Sequence, residues 1–114
     1  MNVWAAIMLW DGANPRADRV VKENAQERLT IVFVSSVDQA AEVAVELVHE
    51  GVELIELCGG FGLDAGAIVS SAVAGRCAIG VVSFGIESIT QAARYKAKFE
   101  SPDPTPSRAQ ETLP

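Results

Sequence analysis

The chain has 114 residues, which is room for one core and no more. A chain of this size buries roughly two-thirds of the surface that its unfolded form exposes, so no disulfide staple is required, and two cysteines, Cys58 and Cys77, are too few for a secreted framework. A formal charge of −6 with no Lys/Arg cluster argues against nucleic acid, no apolar run approaches the ~20 residues that cross a bilayer, and no basic-then-apolar leader opens the chain, so the expected setting is a reducing bacterial cytoplasm.

Apolar, β-branched runs alternate with stretches of helical period. Residues 3–9 read as the first strand. Asn14 followed by Pro15 is a cap with proline at the first helical position, which predicts a short helix through Asn24. Residues 29–34 form the second strand. Ser36 with Gln39 three residues later is a capping-box pattern, and Ala40, Val43, Ala44, Leu47 and Val48 then make one apolar stripe that Gly51 ends. Residues 52–57 are the third strand, and residues 64–74, closed by Gly75, a third helix whose small side chains permit close contact. Residues 78–82 make the fourth strand. A fourth helix spans residues 86–99, with Ile86, Ile89, Ala92, Ala93 and Phe99 available to cover the sheet. Residues 1–100 are thus expected to form a single α/β domain. Residues 101–114 hold four of the five prolines and one large aliphatic residue, a composition expected to stay disordered.

Strand followed by helix, four times over, predicts a mainly parallel four-stranded sheet covered by helices on both faces, with right-handed crossovers. This corresponds to a Rossmann-like or flavodoxin-like half, with half a barrel as the alternative. Such a sheet keeps two edges and some uncovered helix surface, so self-association into a homo-oligomer is expected.

The third strand runs into a glycine-rich loop, and the segment reads Glu53-Leu54-Ile55-Glu56-Leu57-Cys58-Gly59-Gly60-Phe61-Gly62. It resembles an uncharacterised family of small bacterial and archaeal α/β proteins of about this length, over roughly residues 3–99. The resemblance implies a compact α/β domain; it supplies neither activity nor cofactor.

Ligands of open parallel sheets bind beyond the carboxyl ends of the strands, which makes the strand-to-helix loops the candidate site. Ser35, Ser36, Gly59, Gly60, Phe61, Gly62, Phe84 and Gly85 are the candidate ligand-binding residues. Glycines at 59, 60 and 62 permit positive φ and close backbone approach, and the next helix aims free N–H groups at the same place, an arrangement suited to a small anionic ligand. The competing reading is a tight turn that needs glycine. Phe61 and Phe84 offer an apolar wall.

Alternation puts Leu54, Glu56 and Cys58 on one face of the third strand and Glu53, Ile55 and Leu57 on the other. A carboxylate on a doubly covered strand must find a partner, have a raised pKa or lie on a wet edge. Glu56 with Asp11, just past the first strand, would suit acid/base chemistry or a divalent cation held by oxygens. An arginine partner or a loop cap for Glu56 is the alternative. Cys58 near a helix N-terminus has the setting of a reactive thiol, against simple packing as a small residue. His49, the only histidine, is expected at the far edge of the sheet, roughly 15 to 20 Å from Cys58 at ~3.3 Å per strand residue, so no Cys–His dyad forms within one chain. Cys77, at the start of the fourth strand, reads as structural. Trp4 and Trp10 are expected on opposite faces, with Trp10 lining the crevice or closing a core rim or oligomer contact. Arg94, Lys96 and Lys98 complement a helix dipole. Two functions remain: an anionic-metabolite binder or enzyme with Glu56, Asp11 and Cys58 as its chemistry, or a non-catalytic oligomeric or regulatory module. No residue is assigned as a metal ligand, and the cofactor stays unknown.

Overall fold

The computed structural model describes residues 1–100, in two units: Met1–Ser83, and the chain from Phe84 onward. In the first unit five strands form one sheet: β1 (Asn2–Leu9), β2 (Arg19–Glu23), β3 (Glu27–Val34), β4 (Leu54–Leu57) and β5 (Ala78–Val81). Their order is β2-β3-β1-β4-β5. β1 pairs in parallel with β3 along all eight residues and with β4 over Trp4–Ile7, and β4 pairs in parallel with β5. β2 is the exception, antiparallel to β3. Two helices, α1 (Val37–His49) and α2 (Leu63–Val73), follow β3 and β4 and pack against each other.

The fold is therefore α/β and mostly parallel, with five strands rather than the four expected. The extra strand lies where a helix over residues 14–24 was predicted. Asn14 does cap a turn: its side chain accepts from the Arg16 N–H at 3.0 Å, and its carbonyl accepts from Ala17 and Asp18. That turn ends at Asp18, whose carbonyl accepts from Phe33 and so ties the segment to β3. From Arg19 the β-branched pair Val20-Val21 extends along β3, and Asn24 turns the chain back by accepting from Gln26 and Glu27 at 2.9 Å each. A long-range partner outweighs a local helix start.

The other helix signals hold. The Ser36 side chain accepts from the Gln39 N–H at 3.1 Å, and the Gln39 side chain reaches back to the N–H and hydroxyl of Ser35 at 2.8 and 3.0 Å. Ala40, Val43, Ala44 and Leu47 bury the stripe. Gly51, at φ +94°, ends α1, with the Val52 N–H donating to the Leu47 carbonyl, the long bond of a Schellman cap.

Both helices lie on one face of the sheet. On that face Ala5 and Ile7 of β1, Val32 and Val34 of β3 and Ile55 and Leu57 of β4 are fully buried against α1 and α2. No helix of this unit covers the other face. Gly66 brings α2 close to β5: a Cβ there would stand 2.6 Å from Cγ2 of Val81.

The second unit opens with Phe84 and Gly85, then a 3-10 turn, Ile86–Ser88, in which the Ser88 N–H donates to the Gly85 carbonyl at 3.0 Å. α3 (Ile89–Glu100) follows, so the predicted fourth helix begins with a tighter turn than expected. Within it Tyr95 and Phe99 meet edge to face at 5.0 Å, Lys98 lies in the last turn, and Lys96 pairs with Glu100 at 3.3 Å in an exposed bridge of small energetic weight. The expectation of disorder for residues 101–114 lies outside the described residues.

Two substitutions test this account by thermal unfolding. Ser36→Ala removes the α1 cap and is expected to lower stability by about 1 kcal/mol. Gly66→Ala improves helix propensity yet forces a methyl against stiff, β-branched Val81, so a net loss of about 1 to 3 kcal/mol is expected, with Val81→Ala in the same chain recovering part of it.

Candidate functional site

Three loops meet at the carboxyl edge of the parallel strands because β1 lies between β3 and β4. Trp10 continues the ladder beyond β1, its N–H donating to the Val34 carbonyl at 2.8 Å, and Cys58 does the same beyond β4, donating to Ile7 at 3.1 Å. Ser35, Ser36, Cys58, Gly59, Gly60, Phe61 and Gly62 thus share one edge, as expected. Their polar and bulky groups, however, are engaged in folding. Both serines are occupied by the α1 cap. Phe61 is buried in the core, and its N–H closes a turn onto the Cys58 carbonyl at 3.0 Å. A Cβ on Gly60 would lie 3.4 Å from both Cys58 Sγ and Leu9 Cβ, so this glycine packs closely. Positive φ falls at Gly12, Gly51, Ala74 and Gly75 rather than inside the loop. Gly62 is the N-cap of α2 and has no side-chain cap. Phe84 and Gly85 belong to the second unit.

The Leu9 N–H donates to Cys58 Sγ at 3.3 Å, and Cys58 packs against the core. His49 ends α1, at the end of the sheet where β4 begins, so the structure does not bring it to Cys58. Cys77, just before β5, also packs against the core, and burial pushes its thiol up from the ordinary value.

Glu56 and Asp11 are not brought together. Glu56 lies beside Ala6 on β1, which runs on for three more residues, about 10 Å at ~3.3 Å per residue, before the turn that holds Asp11. Glu56 is exposed on the sheet face that α1 and α2 leave open, so it is a wet carboxylate rather than one trapped between layers. Among the described residues no group of three or more His, Cys, Asp or Glu is placed to hold a metal ion.

That open face is the most distinctive surface of the first unit. Register rows cross it: Lys22, Leu29, Trp4, Leu54 and Ala78 in one, Val20, Ile31, Ala6, Glu56 and Gly80 in the next, with Phe33 and Met8 beyond. Trp10 extends it, meeting Phe33 edge to face at 6.1 Å. Trp4 and Trp10 accordingly share a face, because six residues is an even separation; the expectation of opposite faces is corrected. Trp4 donates from Nε1 to Glu27 at 3.0 Å, and beside it Glu27, Leu54 and Glu56 line a shallow groove of about 450 Å3. The groove lies toward the strand starts, away from the glycine loop. The sequence reading missed Leu29, Ile31, Phe33 and Leu54 as surface residues. Their signal was the apolar character of both alternating sets in β1 and β3.

The family model described as Family of unknown function (DUF6506) matches residues 2–97. The chain belongs to this family. The match spans the segment on which the resemblance to an uncharacterised family rested, and no function comes with it. No curated protein and no solved structure matches. No helix of this DUF6506 chain, among the described residues, is long and apolar enough to cross a membrane.

The two thiols differ in a measurable way. A raised Cys77 thiol adds stability that is complete below the ordinary thiol pKa and is lost as pH rises through the raised value. In Cys58→Ala, alkylation of Cys77 by iodoacetamide at pH 8 is expected to run slower than that of a free thiol and to catch up only at higher pH; equal rates at pH 8 would refute the shift.

Proposed function

We propose that this chain is a non-catalytic interaction module whose working surface is the open face of the sheet. One observation carries the reading: half-buried Trp4, Ala6, Met8, Leu29, Ile31 and Phe33, with exposed Leu54, form a continuous apolar field across three strands that no helix of their unit covers. Monomeric proteins seldom expose contiguous apolar patches beyond a few hundred Å2 unless something docks there. The candidate chemistry does not compete well with it. Glu56 and Asp11 lie apart, Cys58 is tied to Leu9, and the serines serve a cap.

A second reading has one observation in its favour. Gly62 gives α2 no side-chain cap, so the first N–H groups of that helix stay free for a small anion at the Cys58–Gly62 loop. Phosphate, sulfate and small carboxylates would then raise the thermal midpoint of the protein; a flat response to all of them removes this reading.

The main proposal is tested on the tagged full chain expressed in its host cell. In extract it is expected to migrate well above its 12.1 kDa mass, and Ile31→Asp with Phe33→Asp is expected to return it to monomer size while leaving the circular dichroism spectrum intact. Wild-type chain that migrates as a monomer in extract would sink the proposal.

A further inference from the structure

Resting on the open-face reading, we infer that the occupant of this face is a second copy of the chain, packed sheet on sheet about a two-fold axis that runs along β1. Area, shape and charge point the same way. Five strands at ~4.8 Å spacing and ~3.3 Å per residue make the face roughly 24 Å wide and about 13 to 26 Å long. With side chains standing off that plane, it approaches the ~800 Å2 per partner of a standard stable interface, and two such faces pack ~10 Å apart as in a β-sandwich.

The relief of the face suits a two-fold along its central strand. Val20 and Lys22 of β2 stand at one edge of the face, whereas β5 at the other edge presents only Ala78 and Gly80. Rotation about β1 lays β2 of each copy over β5 of the other and β3 over β4, so the longer side chains of β2 meet the small ones of β5 and Leu29 meets Leu54. Ala6, at the middle of β1, lets the two sheets approach at the axis.

Charge selects the same axis. Glu56 on β4 is the carboxylate within the apolar field, and enclosing it without a partner would be strongly unfavourable. Lys22 lies on β2, on the opposite side of β1, one register row away. The two-fold along β1 carries Lys22 of each copy over β5 of the other, roughly 5 Å sideways and about 7 Å along from Glu56, within the reach of a lysine side chain spanning the gap. A two-fold running across the strands would instead set both Glu56 carboxylates on one pair of facing strands, with no cation between them.

The test is sedimentation equilibrium on the purified full chain, with tryptophan emission as a second readout, because both tryptophans lie on this face. Wild type is expected at twice the 12.1 kDa chain mass, with Trp emission shifting blue as dimer forms. Lys22→Glu and Glu56→Lys should each weaken the dimer by at least about tenfold, and the two together should restore it. Failure of the charge swap to restore association, or a dimer indifferent to Ile31→Asp, overturns the inference; the latter would point to pairing through the β5 edge. A monomer whose tryptophans are shielded at every concentration also overturns it, in favour of an occupant within the chain. A purified monomer that still runs as a larger species in extract overturns it too, while leaving the open-face reading in place.

Discussion

The structure depends on β1 being paired on both sides. Its eight residues match β3 one for one, and its middle four match β4, so a single strand sets the register of the parallel sheet. Because side chains alternate with period two, this register also decides which residues are enclosed: Ala5 and Ile7 lie in the same layer as Val32, Val34, Ile55 and Leu57. A slip of one residue would exchange that layer with Trp4, Ala6 and Met8, and place a tryptophan where α1 and α2 need small and branched side chains. The position of every loop follows. With β3 and β4 on either side of β1, the caps of α1 and α2 and the end of β1 meet at one edge.

Local signals in the sequence carried well wherever the interaction itself was local. Ser36 and Gln39 are three residues apart and Ser36 caps Gln39 as predicted, while the Gln39 side chain returns to Ser35 one residue earlier than a capping box requires; Gly51 ends α1 with positive φ as its position implied. The failure at residues 14–24 is of another kind. Asn14 forms the turn its type suggests, but one turn of helix has no cooperative advantage over a ladder with β3, and that ladder is visible only once the chain has doubled back at Asn24. The strand was present in Val20-Val21, without the Asn-Gly or Asp-Gly pair that marks the tightest hairpins.

The site was less legible than the fold, for a reason that Glu56 shows. Strands apolar on both alternations read as covered on both faces, and from that reading a carboxylate in β4 becomes a buried group in need of an explanation. In the first unit the same pattern means one face covered by α1 and α2 and one apolar face that no helix of the unit covers, where Glu56 is exposed. Periodicity reports that a side chain is apolar; it does not report what covers it. The glycine loop carried a similar ambiguity. Gly60 permits close packing on Leu9 and Cys58, Phe61 enters the core, and positive φ is required elsewhere, so a composition suggestive of ligand approach is largely accounted for by the turn itself.

The division between edge and face bears on what kind of protein this is. Chemistry at the carboxyl edge of a parallel sheet needs side chains that are free to act and held at hydrogen-bond range of one another. Here Ser35 and Ser36 hold α1, Cys58 accepts from Leu9, and Glu56 pairs with Ala6 while Asp11 lies in the turn beyond the end of β1. The face requires none of that convergence. It requires apolar side chains in a continuous field with little charge inside it, which the alternation of β1 and β3 supplies and the absence of a helix from that side of the unit leaves accessible. A sheet whose interior layer is built from Ala5, Ile7, Val32 and Ile55 would fold as well with polar residues at 29, 31 and 33, since those positions do not touch α1 or α2. Their apolar character is a cost to solubility that folding of this unit does not demand, and on that excess the proposal of association rests.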